Sequence, residues 1–162
     1  MVERCVRDAE VTGSNPAAPI VAPRADKDTV FSRFSPASKR VLRAAEQECR
    51  NLNHYYVGVE HVLLALLEQR DPEVDARLAA WGVPAAEVQA ELRRQIGTGD
   101  DRLWEGILVT PRVRRIVRLA EAGAGESAVD PVHLLEAICD EGRSTAATIV
   151  MSRHEARGAE RG

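Results

Sequence analysis

The sequence predicts an all-α protein built from two pseudo-symmetric repeats of a four-helix motif, the second lacking its last helix, with about seven helices in all. Three observations support this prediction: two segments of the chain recur, apolar residues follow helical spacing, and aromatic residues make up only 4% of the 162 residues. A core built from Leu, Val, Ile and Ala suits closely packed helices better than a sheet.

The first helix of each repeat opens with the same signal. SPASKRVLRAAE (35–46) and TPRVRRIVRLAE (110–121) both begin with a hydroxyl residue followed by proline. The hydroxyl can cap the free N–H groups of a helix, and proline is tolerated at the first helical position. Apolar residues then recur at helical spacing in both segments.

A second pair of segments predicts the central helix of each repeat. YVGVEHVLLALLE (56–68) aligns with AVDPVHLLEAICDE (128–141), which places Gly58 and Asp130 at equivalent N-cap positions. The apolar run of the first segment covers every side of a helix, which is typical of a helix enclosed by others. We therefore expect helices at Gly58–Gln69 and Asp130–Glu141 that pack against each other.

Two further helices are predicted after the first central helix, the second of them amphipathic and ended by Gly97. STAATIVMSRHEA (144–156) is the counterpart of the earlier one, and nothing matches the later one. The missing helix predicts an exposed apolar strip over the second repeat. The resulting organisation is repeat 1 at 30–97, a linker at 98–109, repeat 2 at 110–156 and a tail at 157–162. Leu103, Trp104 and Ile107 of the linker are expected to pack back on the body.

Residues 1–29 show no periodicity and are predicted to be a disordered tail or the product of a misassigned start. Gly-Ser-Asn-Pro, at 13–16, can be encoded by the usual sequence of a tRNA T-arm. The hypothesis is that Met1 to about Ile20 is translated from an upstream tRNA gene, and that Val30, read from GTG, is the true start.

Composition argues against several classes of function. A formal net charge of −3 argues against nucleic acid as the main partner, since duplex binding needs a dense basic face. No run approaches the length of a membrane span, no signal peptide opens the chain, and the three scattered cysteines fit a reducing cytoplasm. We therefore expect a cytoplasmic protein with no membrane partner.

Motifs for chemistry are also missing from the sequence. No nucleophile–base pair, carboxylate dyad or metal cluster supports an enzyme. Lys27 follows Asp26 and Lys39 follows Ser38, so neither lysine belongs to an ATP-binding P-loop. His61 and His133 recur at the same place, where a buried structural histidine is expected rather than a metal ligand. No ATP, metal or other cofactor is expected.

FSRFSPASKRVLRAAEQECRNLNHYYVGVEHVLLALLE (31–68) resembles the Clp N-terminal repeat domain, the module at the front of the ClpA and ClpC unfoldases, and the resemblance extends from Val30 to about Glu155. It implies a stand-alone, non-catalytic module that binds adaptors, client proteins or arginine-phosphorylated segments and modulates a Clp unfoldase–protease system. Implied partners are a Clp unfoldase, adaptors, clients and cyclic-peptide antibiotics. The alternatives are a folded remnant with no binding role and, least supported, a small enzyme.

The resemblance also implies a binding site. Glu60 is similar to a glutamate that receives the guanidinium of phosphoarginine, with the phosphate near Ser35 and the N–H groups of Ala37 and Ser38. The alternative is that Glu60 is a surface residue that interacts favourably with the helix dipole. The second repeat keeps Thr110 but has Val132 in place of the glutamate, so at most one such site is expected.

Two phenylalanines precede the first helix. Phe34 is expected to pack in the core as a hydrophobic staple. For Phe31, core packing and an apolar contact surface for adaptors or antibiotics both remain open.

Overall fold

Seven helices contain most of the residues that the computed structural model describes, which are 31–99 and 108–160. They are α1 (Pro36–Asn51), α2 (Val59–Gln69), α3 (Pro72–Ala80), α4 (Ala85–Ile96), α5 (Pro111–Ala124), α6 (Pro131–Glu141) and α7 (Thr145–Glu160). Two short strands, β1 (Tyr56–Val57) and β2 (Leu108–Val109), pair in parallel. The all-α prediction is confirmed, and within the described residues four helices precede residue 98 and three follow residue 109.

The chain divides into two units, 1–32 and 33–162. Only Phe31 and Ser32 of the first unit are described, so the predicted tail at 1–29 lies outside the described residues. The same holds for the linker side chains Leu103, Trp104 and Ile107. Helix α7 continues to Glu160, beyond the predicted end of repeat 2 at residue 156.

The predicted caps begin the first helix of each repeat. The Ser35 Oγ accepts a hydrogen bond from the Ser38 N–H at 3.3 Å, and the Thr110 Oγ1 accepts one from the Val113 N–H at 3.4 Å. Each hydroxyl satisfies one of the N–H groups that the first turn of a helix leaves free. A proline follows each cap, as the sequence predicts.

Helices α2 and α6 form the centre of the fold. Every side chain from Val62 to Leu67 is at most 2% exposed, and Leu134, Leu135 and Ile138 of α6 are fully buried. The two helices pack against each other, with α1 on α2 and α5 on α6. The prediction of two mutually packed central helices is therefore confirmed.

The expectation of an exposed apolar strip over the second repeat is wrong. Within the described part of that repeat's helices, Met151 is the one exposed large hydrophobic side chain, at 39%. The reason is the position of α7, which packs against α2 and α4 of the first repeat as well as against α6. Arg153 pairs with Glu87 at 2.8 Å along this contact.

Candidate functional site

The pairing of β1 with β2 brings the starts of α2 and α5 together. The Leu108 N–H donates to the Tyr55 carbonyl at 3.0 Å, and the Thr110 N–H donates to the Val57 carbonyl at 3.2 Å. Thr110, the cap of α5, therefore lies beside Gly58, the cap of α2. We call this region, residues 55–60 and 108–113, the strand junction.

The starts of α1 and α6 meet in the same way. Phe34 forms an isolated parallel bridge with Val129, and the Ser35 N–H donates to the Val129 carbonyl at 3.0 Å. We call this region, residues 33–38 and 129–133, the bridge junction. In both junctions, the first helix of one repeat begins beside the central helix of the other repeat.

This crossover separates Ser35 from Glu60, which were expected to contact one ligand together. The Cys49 thiol donates to the Tyr56 carbonyl at 3.0 Å, so the strand junction lies near the far end of α1. About thirteen residues of helix separate Pro36 from Cys49, which at 1.5 Å per residue is about 20 Å. Ser35 and Glu60 therefore lie at opposite ends of α1 and cannot both contact one small ligand.

The fold instead brings the start of α2, which carries Glu60, beside Thr110. Ser35 lies in the bridge junction, where Val132 occupies the position equivalent to Glu60. The Ser38 N–H, expected to be free for an anion, donates to Ser35, and the equivalent Val113 N–H donates to Thr110. That Ser35 or Glu60 binds a ligand stays a prediction, and the helix start that lies beside that of α2 belongs to α5, which Thr110 caps. The repeat offset in the sequence identifies both caps, and it carries no information on which cap meets which central helix.

Glu60 lies in the first turn of α2 and is partly exposed. Its carboxylate folds back toward the helix cap, since a Cβ added to Gly58 would lie 2.7 Å from the Glu60 Oε2. Within residues 31–99 and 108–160 this carboxylate takes part in no ion pair. A carboxylate in this position can accept a guanidinium or ammonium group from a ligand.

Exposed apolar side chains also lie on the strand junction, and the Tyr56 ring approaches the same Gly58 position as the Glu60 carboxylate, at 3.8 Å. Four exposed large hydrophobic residues lie together on the paired strands and just before β1: Tyr55 at 47%, Tyr56 at 40%, Leu108 at 64% and Val109 at 42%. We call them the Tyr–Leu patch. Tyr56 faces Leu108 in the strand register, and Val57 faces Val109. Clustered exposed apolar residues of this kind mark interaction sites.

The buried side chain of His61 is hydrogen-bonded to the backbone of the strand junction. The His61 Nδ1 accepts from the Gly58 N–H at 3.0 Å, so its proton is on Nε2, which donates to the His54 Nδ1 at 2.9 Å. His54 stacks in parallel with Tyr56 at a centroid distance of 5.9 Å. Burial, and to a smaller degree the nearby His54, lower the pKa of His61 to about 4. His61 is therefore neutral at pH 7.

His133 makes the equivalent contact in the second repeat. Its Nδ1 accepts from the Asp130 N–H at 3.0 Å. Both histidines occupy the third helical position and reach back to the cap, the place that glutamate or glutamine takes in a capping box. This shared role explains why the histidine recurs in both repeats.

The remaining candidate residues have structural positions. Phe34 is 3% exposed, so the prediction that it packs in the core is confirmed, and Phe31 is partly exposed. Burial raises the pKa of the Cys49 thiol, and burial together with nearby acidic groups raises the pKa of Cys139 to about 11.

In the described ranges, no three His, Cys, Asp or Glu side chains cluster in a way that could hold a metal ion. Nor does any described helix combine the length and apolar character needed to cross a membrane.

The fold and its junctions define a helical domain of two repeats, in which each central helix begins beside the first helix of the other repeat. The family described as "Clp repeat (R) N-terminal domain" matches residues 33–153. The chain belongs to this family, as the sequence resemblance predicted.

Two curated relatives illustrate the similarity. The chain is 31% identical over 124 residues to "Negative regulator of genetic competence ClpC/MecB" of Bacillus subtilis, and 30% identical over 124 residues to "Chaperone protein ClpB" of Oceanobacillus iheyensis. Each match covers 75% of this chain and 15% of the relative. The chain thus corresponds to a small part of these longer proteins.

Solved structures share the fold. A chain from work on the ATPase ClpV, the TssB-TssC sheath and the accessory HsiE protein superposes with a TM-score of 0.60 at 20% identity, covering 80% of this chain and 83% of that one. A chain from investigations of a malarial protein secretion system gives a TM-score of 0.60 at 18% identity, with 76% and 85% covered. At these identities the similarity shows the fold alone.

Proposed function

We propose that this protein is a cytoplasmic, non-catalytic module that binds adaptors, client proteins or arginine-phosphorylated segments and so modulates a Clp unfoldase–protease system. The observation that carries the proposal is the strand junction, where the Tyr–Leu patch and the start of α2, which carries Glu60, lie beside the start of α5. Membership of the Clp N-terminal family supports the same conclusion.

The chemistry of the strand junction suits a peptide that carries a modified arginine. The guanidinium would pair with Glu60, because carboxylates bind guanidinium groups through paired, charge-assisted hydrogen bonds. The phosphate would lie at the start of α5, where the Thr110 hydroxyl can donate to it and the positive end of the helix dipole favours an anion. Apolar side chains flanking the modified arginine would cover the Tyr–Leu patch.

The bridge junction would not bind the same ligand. Val132 cannot pair with a guanidinium, so the proposal gives one phosphoarginine site per chain. Ser35 is then a structural cap in this protein, in contrast to its predicted role as a phosphate-binding residue.

Calorimetry with an arginine-phosphorylated peptide tests the site. Glu60→Gln should weaken binding by about tenfold or more, because a lost hydrogen bond to a charged group costs roughly 1.5–3 kcal/mol. Thr110→Ala should also weaken binding. Its matched control is Ser35→Ala, which removes the equivalent helix cap in the other junction and should leave the affinity unchanged.

Three outcomes would contradict this assignment. No binding by the wild type would exclude a phosphoarginine site. A loss of affinity in Ser35→Ala but not in Thr110→Ala would move the phosphate to the bridge junction. Unchanged binding in Glu60→Gln would place the ligand elsewhere, with the apolar region near Phe31 the next candidate.

The second candidate function is a folded remnant with no binding role. The presence of Val132 at the position equivalent to Glu60 favours it. Pull-downs with a ClpC-type unfoldase and with arginine-phosphorylated proteins separate the two candidates. Specific capture that Glu60→Gln abolishes supports the binding module, and the lack of any capture supports the remnant.

A further inference from the structure

The first helix of each repeat carries the same three basic residues on its surface. Lys39, Arg40 and Arg43 of α1 align with Arg114, Arg115 and Arg118 of α5. We call these sets the two basic triads. Five of the six side chains are exposed and Lys39 is partly exposed.

Neither triad is neutralised by the part of the chain that the structure describes. All eight ion pairs there involve other basic residues, such as Arg50, Arg93 and Arg112. The first turns of α1 and α5 also contain no acidic residue. The triads therefore form two local regions of positive charge on a chain whose formal net charge is −3.

This arrangement opposes the stability of the two helices. Positive side chains near the start of a helix interact unfavourably with the helix dipole. Lys39 and Arg43 are also four residues apart, as are Arg114 and Arg118, and like charges at this spacing repel each other. A feature that works against helix stability at the same positions in both repeats is not explained by folding, which points to a role in binding.

We propose that the two basic triads are docking surfaces for acidic segments of a protein partner. Charge complementarity identifies the occupant, because carboxylates of Asp or Glu would replace the counter-charge that the described chain lacks. Nucleic acid fits less well, since each triad offers three cations and the net negative charge of the chain repels a long polyanion. The inference rests on the proposed protein-binding function and names a second type of contact, distinct from the strand junction.

The test measures binding of a labelled peptide in which glutamate alternates with glycine, at low and at moderate ionic strength. Two variants replace one triad each by glutamine: Lys39→Gln/Arg40→Gln/Arg43→Gln and Arg114→Gln/Arg115→Gln/Arg118→Gln. A matched control changes the net charge equally at three exposed arginines outside the triads: Arg70→Gln/Arg94→Gln/Arg143→Gln.

The wild type should bind the peptide at low ionic strength and lose most of the binding as salt is added, because exposed charges are screened. Each triad variant should halve the number of peptides bound, because the other triad remains. A variant that combines both sets of substitutions should weaken binding by about tenfold, the loss expected for three exposed charge contacts at each site, whereas the control should retain binding. Both triad variants should melt at or above the wild-type temperature, because they remove repulsion within a helix. A triad variant that melts at or above the wild-type temperature is folded, so a loss of peptide binding in it is due to the missing charges.

Several results would overturn the proposal. These are no binding by the wild type, an equal loss in the control variant, or tighter binding of an oligothymidine of the same charge than of the acidic peptide. The outcome is separable from the test of the proposed function. If phosphoarginine binds the wild type and both triad variants while the acidic peptide does not bind the wild type, this inference alone is refuted. If the acidic peptide binds through the triads while phosphoarginine does not bind the wild type, only the phosphoarginine site is refuted.

Discussion

The buried imidazole of His61 should make the stability of this protein fall steeply in mildly acidic solution. His61 is 2% exposed and accepts a hydrogen bond from the Gly58 N–H through Nδ1. Protonation would place a positive charge in the core and remove the lone pair that this hydrogen bond needs. The folded state therefore resists protonation, and the pKa of His61 lies at about 4, below the ordinary value of 6.5.

The sign and size of the effect follow from linkage. Between the two pKa values the unfolded chain binds more protons at this residue than the fold does, so stability falls as the pH falls from about 6.5 toward 4. Each pKa unit of difference corresponds to about 1.4 kcal/mol, so the total loss is on the order of 3 kcal/mol. This is a large fraction of the stability of a typical small domain, roughly 5–15 kcal/mol.

Urea denaturation followed by circular dichroism at several pH values between 5 and 8 measures this loss. The informative variant is His61→Gln, because glutamine can still accept from the cap N–H and cannot be protonated. Its free energy of unfolding should change much less with pH than that of the wild type. The matched control is His133→Gln, the same change at the same helical position in the second repeat.

Two results would refute this reasoning. One is a wild-type free energy of unfolding that stays flat between pH 6.5 and 5, and the other is a His61→Gln profile as steep as that of the wild type. A direct check is an NMR titration of the His61 ring, which should remain neutral down to about pH 5 if its pKa is about 4.

Two predictions concern packing. A Cβ at residue 99 would lie 2.4 Å from the Asn53 carbonyl oxygen, so Gly99→Ala should lower the free energy of unfolding by about 1–3 kcal/mol, within the usual range for destabilising mutations. At Gly123 in α5 an added Cβ would have nothing within 4 Å, so Gly123→Ala should raise the free energy of unfolding by about 0.5–1 kcal/mol. Thermal melts in which Gly99→Ala is the more stable of the two variants would contradict both values. Leu135→Ala in α6, where the side chain is fully buried, should cost about 2–5 kcal/mol, and a loss below 1 kcal/mol in urea denaturation would mean that α6 is not central.

The site could be predicted only in part. Glu60 and Thr110 were both visible in the sequence as helix-start residues, but Glu60 was paired with the cap of its own repeat. The crossover between repeats, in which Thr110 binds the Val57 carbonyl and Ser35 binds that of Val129, depends on contacts between segments distant in the chain. The Tyr–Leu patch was missed for the same reason, because its residues come from two separate segments of the chain.

What the sequence determined by itself was the local structure. Helix caps at Ser35 and Thr110, the helix stop at Gly97 and the enclosed run from Val62 to Leu67 all follow from hydrogen bonding and apolar spacing over a few residues. The tertiary structure decided how these elements meet. It placed the first helix of each repeat beside the central helix of the other repeat. It also packed α7 against both repeats, so that the described residues of repeat 2 leave no exposed apolar strip, and it buried His61 against His54. The physical reason is that these arrangements are set by the packing of whole helix faces and by hydrogen bonds across the repeats, which spacing along the chain does not encode.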